Sequence, residues 1–321
     1  MSGTKLNSTL VIALGGNALL DSKSKGTIEE REAAAERTAK QLIDIIDSDY
    51  NIIITHGNGP QVGNILIQNE EASDKVPPLP LDVCVAETQG EIGYILQKAI
   101  KNELDAHNIK KNIITILTEA IVNENDPAFS NYTKPIGPYY TQEQKNEILR
   151  LKPNWRFIAD PSGNGFRRVV PSPKPIKILQ DNIIKNIINK DNIIIAVGGG
   201  GIPVYINHTT NKYEGLEAVI DKDLASARLA IDINADKLII LTNVEYCYLN
   251  YNKPNQIVLK EMNLDEAITY LEQGQFSAGS MGPKVQAAID FITATQKEAV
   301  ISQLEYLQDA IKGKIGTRIY I

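Results

Sequence analysis

Three short aliphatic runs each end directly in a glycine turn, and this repeated pattern limits the folds open to the chain. The runs cover residues 11–14, 52–56 and 193–197, and they lead into Gly15-Gly16-Asn17, Gly57-Asn58-Gly59 and Gly198-Gly199-Gly200-Gly201. Because glycine has no Cβ, a turn after a buried strand exposes backbone N–H groups that can surround a phosphate. Three such turns at strand ends indicate a cleft that holds more than one phosphoryl group.

The rest of the chain alternates between predicted helices and predicted strands. Helices are predicted for residues 28–47, 82–108, 223–231, 265–273 and 283–293, and further strands for 113–117, 238–242, 299–302 and 317–321. This alternation predicts an α/β protein, a three-layer αβα sandwich around a mainly parallel sheet. At 321 residues the chain is near the upper size of a single core. We therefore expect one domain with two lobes, residues 1–190 and 191–321.

One segment, residues 123–175, interrupts this alternation. It is rich in proline, glycine and aromatic residues, and it contains the only tryptophan, Trp155, and three of the five phenylalanines. A connection of this length is too long for an ordinary loop. We expect a small protruding subdomain with a core of its own, inserted in the first lobe.

Composition excludes several classes of function. The net charge of −6 argues against a nucleic-acid partner. No apolar run is long enough to span a bilayer, and the first aliphatic run is too short for a signal peptide. Cys84 and Cys247 form no zinc-binding motif with the three scattered histidines. We expect a cytoplasmic protein with neither a nucleic-acid nor a membrane partner.

Two lysines occupy unfavourable positions at the starts of predicted helices. The positive end of a helix dipole disfavours a cation such as Lys222 or Lys284 by about 0.3–1 kcal/mol. Both placements are explained if a polyphosphate binds between the helix ends, although a lysine in a first turn can also simply point to water. Asp221 is expected to cap its helix and Asp223 to orient Lys222. Lys134, before a proline on the protruding segment, could reach over a small anion.

The common nucleotide-binding fingerprints are missing. The chain contains no GxxxxGK[ST] loop, and residues 57–63 miss the GxGxxG spacing. The site is therefore expected to be assembled from separate loops. His56 is interpreted as a packed or hydrogen-bonded residue at a strand end, and no nucleophile with an adjacent base is evident.

Several motifs resemble the amino acid kinase family. Residues 13–18, 56–63 and 196–204 carry the general resemblance, and four further runs are similar to the carbamate kinases within that family: residues 133–138, 167–173, 217–226 and 278–285. The resemblance covers nearly the whole chain, including the inserted segment. It implies reversible phosphoryl transfer from carbamoyl phosphate to ADP, giving ATP and carbamate. It also implies Mg²⁺ carried by the nucleotide without a direct protein ligand, a homodimer, and ATP generation in an arginine-type fermentation.

The resemblance also implies which residues form the site. The implied catalytic residues are Lys134, Lys222, Asp223 and Lys284; the implied ligands of carbamate or carbamoyl phosphate are Gly15, Gly16, Asn17, Gly57, Asn58 and Gly59. The implied nucleotide ligands are Gly199, Gly200, Thr242, Asn243, Tyr248, Met281 and Lys284, of which Tyr248 and Met281 could equally pack in the core. Asn243 stands where many members carry aspartate.

Two alternative functions stay open. The first keeps the fold and changes the acceptor, as in acetylglutamate kinase, glutamate 5-kinase or a nucleoside monophosphate kinase; the inserted segment argues against it. The second is a non-catalytic nucleotide-binding regulator, which would not need Lys134, Lys222 and Lys284 together.

Overall fold

The computed structural model describes residues 7–20, 24–160 and 163–321, and it leaves out the side chain of Asn17. Within these residues, seventeen strands and nine α-helices follow one another. The strands are β1 (Thr9–Ala13), β2 (Asn51–Thr55), β3 (Asn112–Thr115), β4 (Glu119–Ile121), β5 (Lys134–Tyr140), β6 (Arg156–Ala159), β7 (Phe166–Val170), β8 (Lys177–Ile178), β9 (Asn192–Ile195), β10 (Ile202–Asn207), β11 (Lys212–Gly215), β12 (Lys237–Thr242), β13 (Cys247–Leu249), β14 (Ile257–Leu259), β15 (Glu261–Asn263), β16 (Ala299–Gln303) and β17 (Thr317–Tyr320).

The helices include every one predicted from the sequence. They are α1 (Ile28–Ile46), α2 (Gly59–Glu71), α3 (Leu81–Ala106), α4 (Gln142–Leu151), α5 (Asp181–Ile187), α6 (Lys222–Asp232), α7 (Leu264–Glu272), α8 (Met281–Thr295) and α9 (Leu307–Ile311). Of the helices that are described, none has both the length and the apolar composition needed to cross a bilayer. The start of α8 lies two residues before the predicted one, because Pro283 needs no hydrogen-bond acceptor in the first turn.

The main sheet contains eight strands in the order β15-β17-β16-β12-β1-β2-β9-β3. All neighbouring pairs are parallel except β16 and β17, which are antiparallel. In the centre of the sheet, Val11 of β1 is in register with Ile53 of β2 and Leu238 of β12. The predicted, mainly parallel sheet is confirmed.

Helices cover both faces of this sheet. Successive side chains of a strand point to opposite faces, so Val11 and Ala13 belong to one buried core, while Leu10 and Ile12 belong to the other. The first core includes residues of α6 and α8, and the second includes residues of α1 and α3. Burial of each large aliphatic side chain contributes about 1.5–3 kcal/mol. The three-layer αβα sandwich is therefore as predicted.

The inserted segment contains its own antiparallel sheet, β5-β7-β6, together with α4. Tyr140 and Phe157 make an edge-to-face contact with ring centroids 5.5 Å apart, and Trp155 lies 6.1 Å from Phe157. Two smaller sheets, β11-β10-β4-β8 and β13-β14, complete the described topology. The division into two lobes and a protruding subdomain stays a prediction.

A close backbone contact fixes the inserted sheet against the main body. A Cβ atom at Gly63 of α2 would lie 2.1 Å from the Cα and N atoms of Gly137 in β5, so only glycine permits this approach. Because α2 follows the second glycine turn directly, the contact places β5, including Lys134 at its first position, beside that turn.

Candidate active site

A cavity of about 530 Å³ lies at the carboxyl ends of three adjacent parallel strands, β1, β2 and β9. Ligands of open parallel sheets usually bind at this edge. Each of the three glycine turns contributes to its lining, through Gly16, through Gly57, Asn58 and Gly59, and through Gly199. The lining also includes the predicted charged residues, namely Lys134, Lys222, Asp223 and Lys284. The structure thus brings most of the predicted catalytic and substrate-binding residues together.

Asp223 holds two lysines, one with each carboxylate oxygen. Lys222 Nζ donates to Oδ1 at 2.5 Å, and Lys284 Nζ donates to Oδ2 at 3.0 Å. The Asp223 side chain is 3% exposed and the two lysine side chains are 11% and 12% exposed. Burial lowers the pKa of Lys222 despite this pairing. Burial acts in the same direction on Lys284, but the charge and hydrogen bond of Asp223 outweigh it and raise the pKa of Lys284.

Asp221 has two functions at the start of α6. Its Oδ1 atom accepts the backbone N–H groups of Asp223 at 2.9 Å and Leu224 at 3.4 Å, which confirms the predicted cap. Its Oδ2 atom accepts a hydrogen bond from Lys134 Nζ at 2.7 Å. Burial alone would raise the pKa of Asp221, but Lys134, Lys284 and Lys222 together hold it well below its usual range. The ion pair with Lys134 was not predicted from the sequence.

The N–H groups of the second glycine turn are available to a ligand. Among the described residues, none accepts a hydrogen bond from the N–H groups of Gly57, Asn58 or Gly59. The Asn58 side chain is buried and donates to Thr88 Oγ1 at 2.9 Å, which fixes the conformation of the turn. A helix N-terminus with free N–H groups favours an anion.

The third glycine turn uses the N–H groups of Gly199, Gly200 and Gly201 internally. Gly199 donates to the His56 carbonyl at 2.8 Å, and Gly200 donates to the Val197 carbonyl at 3.1 Å. Gly199 has a φ of +64°, and a Cβ atom there would lie 2.3 Å from Asn58 Nδ2. The third glycine turn therefore packs closely against the Asn58 side chain. The nucleotide-binding roles of Gly199 and Gly200 stay predictions.

His56 is enclosed between these two turns. It is 1% exposed, its Nδ1 atom lies 3.0 Å from the Gly57 carbonyl, and burial lowers its pKa to about 4. The ring is neutral at pH 7, with the Nδ1 proton donated to the carbonyl. The interpretation of His56 as a packed, hydrogen-bonded residue is confirmed.

The other predicted site residues are not among the lining residues of the main cavity. Gly15, Thr242 and Asn243 line a second, smaller cavity of about 230 Å³, while Gly200, Tyr248 and Met281 line neither of the two cavities. Tyr248 lies beside Tyr251, with ring centroids 5.6 Å apart, and Met281 packs against the core with its Sδ atom 3.6 Å from Cys247 Sγ. The backbone of Asn17 belongs to the short 3₁₀ helix Gly16–Ala18, and its side chain lies outside the described part of the chain.

Many lining residues were not predicted as ligands from the sequence. Three of them are Gln61, Arg167 and Ser280, and the Ser280 carbonyl accepts a weak hydrogen bond from Lys284 Nζ at 3.4 Å. The sequence carries a weak signal for them, because all three lie within or beside the runs that support the resemblance. Nothing in those runs separates a lining residue from a structural one.

Comparison with known proteins defines the class to which this fold and site belong. The model of the amino acid kinase family matches residues 8–302. A carbamate kinase of Trichomonas vaginalis is 44% identical over 97% of this chain and 98% of its own length. Two structures of carbamate kinase from Giardia lamblia, bound to citric acid and to AMP-PNP, superpose with TM-scores of 0.92 and 0.88 at 41% and 42% identity; each comparison covers 98% of both chains.

The chain therefore belongs to the amino acid kinase family, and within it to the carbamate kinases. The predicted resemblance and the predicted fold are both confirmed.

Proposed function

We propose that this chain catalyses reversible phosphoryl transfer between carbamoyl phosphate and ADP, giving ATP and carbamate. The observation that carries the proposal is the cluster of Lys134, Lys222 and Lys284 on two aspartates, beside a glycine turn with free N–H groups. Within this cluster, three ammonium groups and two carboxylates leave one net positive charge before any substrate binds. The relatedness to carbamate kinases supports the same conclusion.

The reaction needs alignment and charge neutralisation rather than proton transfer. An oxygen of the ADP β-phosphate attacks the phosphorus of carbamoyl phosphate, and the bond from phosphorus to the acyl oxygen breaks. Its electron pair stays on carbamate. The carbamoyl phosphate dianion and the ADP trianion thus become the carbamate monoanion and the ATP tetra-anion, and no proton is released. Catalysis of this kind depends on positioning and electrostatic stabilisation. The absence of a general base in this scheme agrees with the neutral, enclosed His56.

We assign the roles of the residues by their positions. The N–H groups of Gly57, Asn58 and Gly59 would hold the acyl phosphate, together with Gly15, Gly16 and Asn17. Lys222 and Lys284 would neutralise the transferred phosphoryl group, oriented by Asp223, and Lys134 would bind it from the inserted sheet. The nucleotide would bind on the Lys284 side, near Thr242, Asn243, Tyr248 and Met281. The AMP-PNP bound by the Giardia relative supports an adenine nucleotide as the second substrate.

We propose that Mg²⁺ enters with the nucleotide. Within the described ranges, no group of three or more His, Cys, Asp or Glu side chains could hold a metal ion. The two carboxylates of the cavity, Asp221 and Asp223, already accept hydrogen bonds from lysines. Phosphate oxygens and water are common Mg²⁺ ligands, and the bound ion would reduce the negative charge on the nucleotide. A homodimer, a cytoplasmic location and a part in arginine fermentation stay predictions from the resemblance.

The direct test is a coupled assay of ATP formed from carbamoyl phosphate and ADP with Mg²⁺. We expect turnover that depends on all three components, and no phosphorylation of acetylglutamate or glutamate by ATP. No turnover with carbamoyl phosphate, alongside turnover with one of those acceptors, would overturn the assignment. Binding of ADP without any turnover would favour a regulator on the same fold.

A single substitution tests the lysine cluster. Lys284→Ala leaves Asp223 paired with Lys222, so we expect normal folding. We expect it to lose about 3–4 kcal/mol of transition-state stabilisation, by analogy with removing one oxyanion donor, measured as kcat/KM. The matched control is Lys40→Ala on the exposed face of α1, which should keep wild-type activity. Full activity of Lys284→Ala would remove this residue from the site.

A further inference from the structure

Two consecutive arginines of β7, Arg167 and Arg168, have opposite environments. Arg168 Nη1 donates to Glu70 Oε1 at 3.1 Å, and its Cζ atom lies 3.5 Å from the centroid of the Trp155 ring. Arg167 instead lines the main cavity. No carboxylate in residues 7–20, 24–160 or 163–321 lies within ion-pair distance of Arg167. Arg168 is thus paired with Glu70 of α2, whereas Arg167 is a cavity-lining cation without a counter-ion among the described residues.

The guanidinium group of Arg167 is held in place but incompletely bonded. Nη2 donates to the Gly137 carbonyl at 2.9 Å, and the Cζ atom lies 5.4 Å from the centroid of the Tyr139 ring. The Nε atom is enclosed and has no acceptor among the described residues. Burial lowers the pKa of Arg167, but a guanidinium stays protonated at neutral pH. A partly buried charge with an unpaired donor is costly unless an anion binds to it.

The position of Arg167 places that anion at one end of the cavity. The pairing of β5 with β7 shifts register between Ile136 and Tyr140, a stretch that includes Gly137, whose carbonyl accepts the hydrogen bond from Arg167. Irregular pairing of this kind often re-aims a side chain beside an active site. Gly137 in turn packs directly on Gly63 of α2, the helix that starts at Gly59. Arg167 is therefore fixed beside the second glycine turn, at the acyl-phosphate end of the proposed site.

We propose that Arg167 binds the carbamoyl group of the substrate and stabilises the negative charge that the departing carbamate acquires. This inference rests on the proposed function. When the bond between phosphorus and the acyl oxygen breaks, its electron pair stays on that oxygen, and the N–H groups of Arg167 donate to the resulting carboxylate. In the reverse reaction, the same groups orient carbamate for attack on ATP. The planar guanidinium suits a planar carboxylate better than an ammonium does, because it can donate two parallel hydrogen bonds.

The test compares Arg167→Gln with its neighbour Arg168→Gln. For Arg167→Gln we expect kcat/KM for carbamoyl phosphate to fall about 10- to 100-fold, the range for a lost hydrogen bond to a charged group. The KM for ADP and the melting temperature should stay close to wild type. For Arg168→Gln we expect the opposite, a lower melting temperature with kcat/KM nearly unchanged, since it loses the Glu70 and Trp155 contacts. Arg167→Lys should recover only part of the activity, because it cannot donate two parallel hydrogen bonds.

A binding measurement separates this inference from the proposed function. Phosphonoacetamide, a stable analogue of carbamoyl phosphate, is titrated into wild type, Arg167→Gln and Arg168→Gln by calorimetry. A dissociation constant raised at least tenfold by Arg167→Gln alone supports the inference, even if wild type were to form no ATP and the proposed function failed. Wild type that does not bind the analogue overturns it, as does equal affinity in all three proteins. Loss of ADP affinity in Arg167→Gln with unchanged analogue affinity would assign Arg167 to the nucleotide and also overturn the inference.

Discussion

The substitution Asp223→Asn tests whether one buried carboxylate organises the lysine cluster. The amide keeps the size of the side chain but removes the charge that Lys222 and Lys284 share, at 2.5 and 3.0 Å. Each hydrogen bond to a charged group contributes about 1.5–3 kcal/mol, and removing one member of a buried ion pair costs about 3–5 kcal/mol. We expect the free energy of unfolding to fall by about 3–5 kcal/mol, because two enclosed ammonium groups are left facing each other.

The assay is urea unfolding of wild type and Asp223→Asn, each with and without inorganic pyrophosphate. A polyanion in the cavity replaces the missing negative charge, so pyrophosphate should stabilise the variant more than the wild type, in addition to the mass-action effect of binding. The control is Asp105→Asn, which removes an exposed pair with Lys101 and should change stability little. A variant as stable as wild type, or one that pyrophosphate stabilises no more than wild type, would refute the role of Asp223.

Two further predictions concern pH and packing. Since burial lowers the pKa of His56 to about 4 while the unfolded chain titrates near 6.5, the unfolded state binds more protons between these values. The free energy of unfolding should therefore fall by about 3 kcal/mol in total as pH drops from 6.5 to 4. Urea unfolding of His56→Gln at several pH values should lack this part of the pH dependence. The same pH dependence in both proteins would contradict the lowered pKa of His56. Gly63→Ala forces β5 away from α2 and should cost about 1–3 kcal/mol of stability and raise the KM for carbamoyl phosphate. Gly90→Ala, where a Cβ atom meets open space, should do neither.

The sequence was sufficient to predict features that depend on neighbouring residues. Aliphatic runs before glycine turns predicted β1, β2 and β9, and apolar periodicity predicted α1 to within one residue. The cap formed by Asp221 and the pairing of Asp223 with Lys222 followed in the same way, since each involves residues close in sequence. For residues this close in sequence, the side chains themselves leave few alternative local structures or partners.

Features that depend on tertiary packing could not be predicted in this way. Lys134 and Asp221 are 87 residues apart, and tertiary contacts such as that of β5 with α2 bring them together. Arg167 and Arg168 are identical and adjacent, yet the side of the strand decides that one pairs with Glu70 and the other lines the cavity. Similarly, the third glycine turn has the composition of a phosphate-binding loop, but the N–H groups of Gly199, Gly200 and Gly201 are used internally, and the turn packs on His56 and Asn58.

The ion pairs of the cavity explain how three lysines can be held together without a substrate. Each lysine is paired with an aspartate of the α6 start, so the ammonium groups are already desolvated and oriented when a phosphate enters. Preorganised charges stabilise a transition state without reorganisation at the moment of reaction. A phosphate that contacts Lys134 must share it with Asp221, which also caps α6. Because one carboxylate thus contacts both the inserted sheet and the helix that carries Lys222, movement of that sheet and the charge balance of the phosphate site are physically coupled.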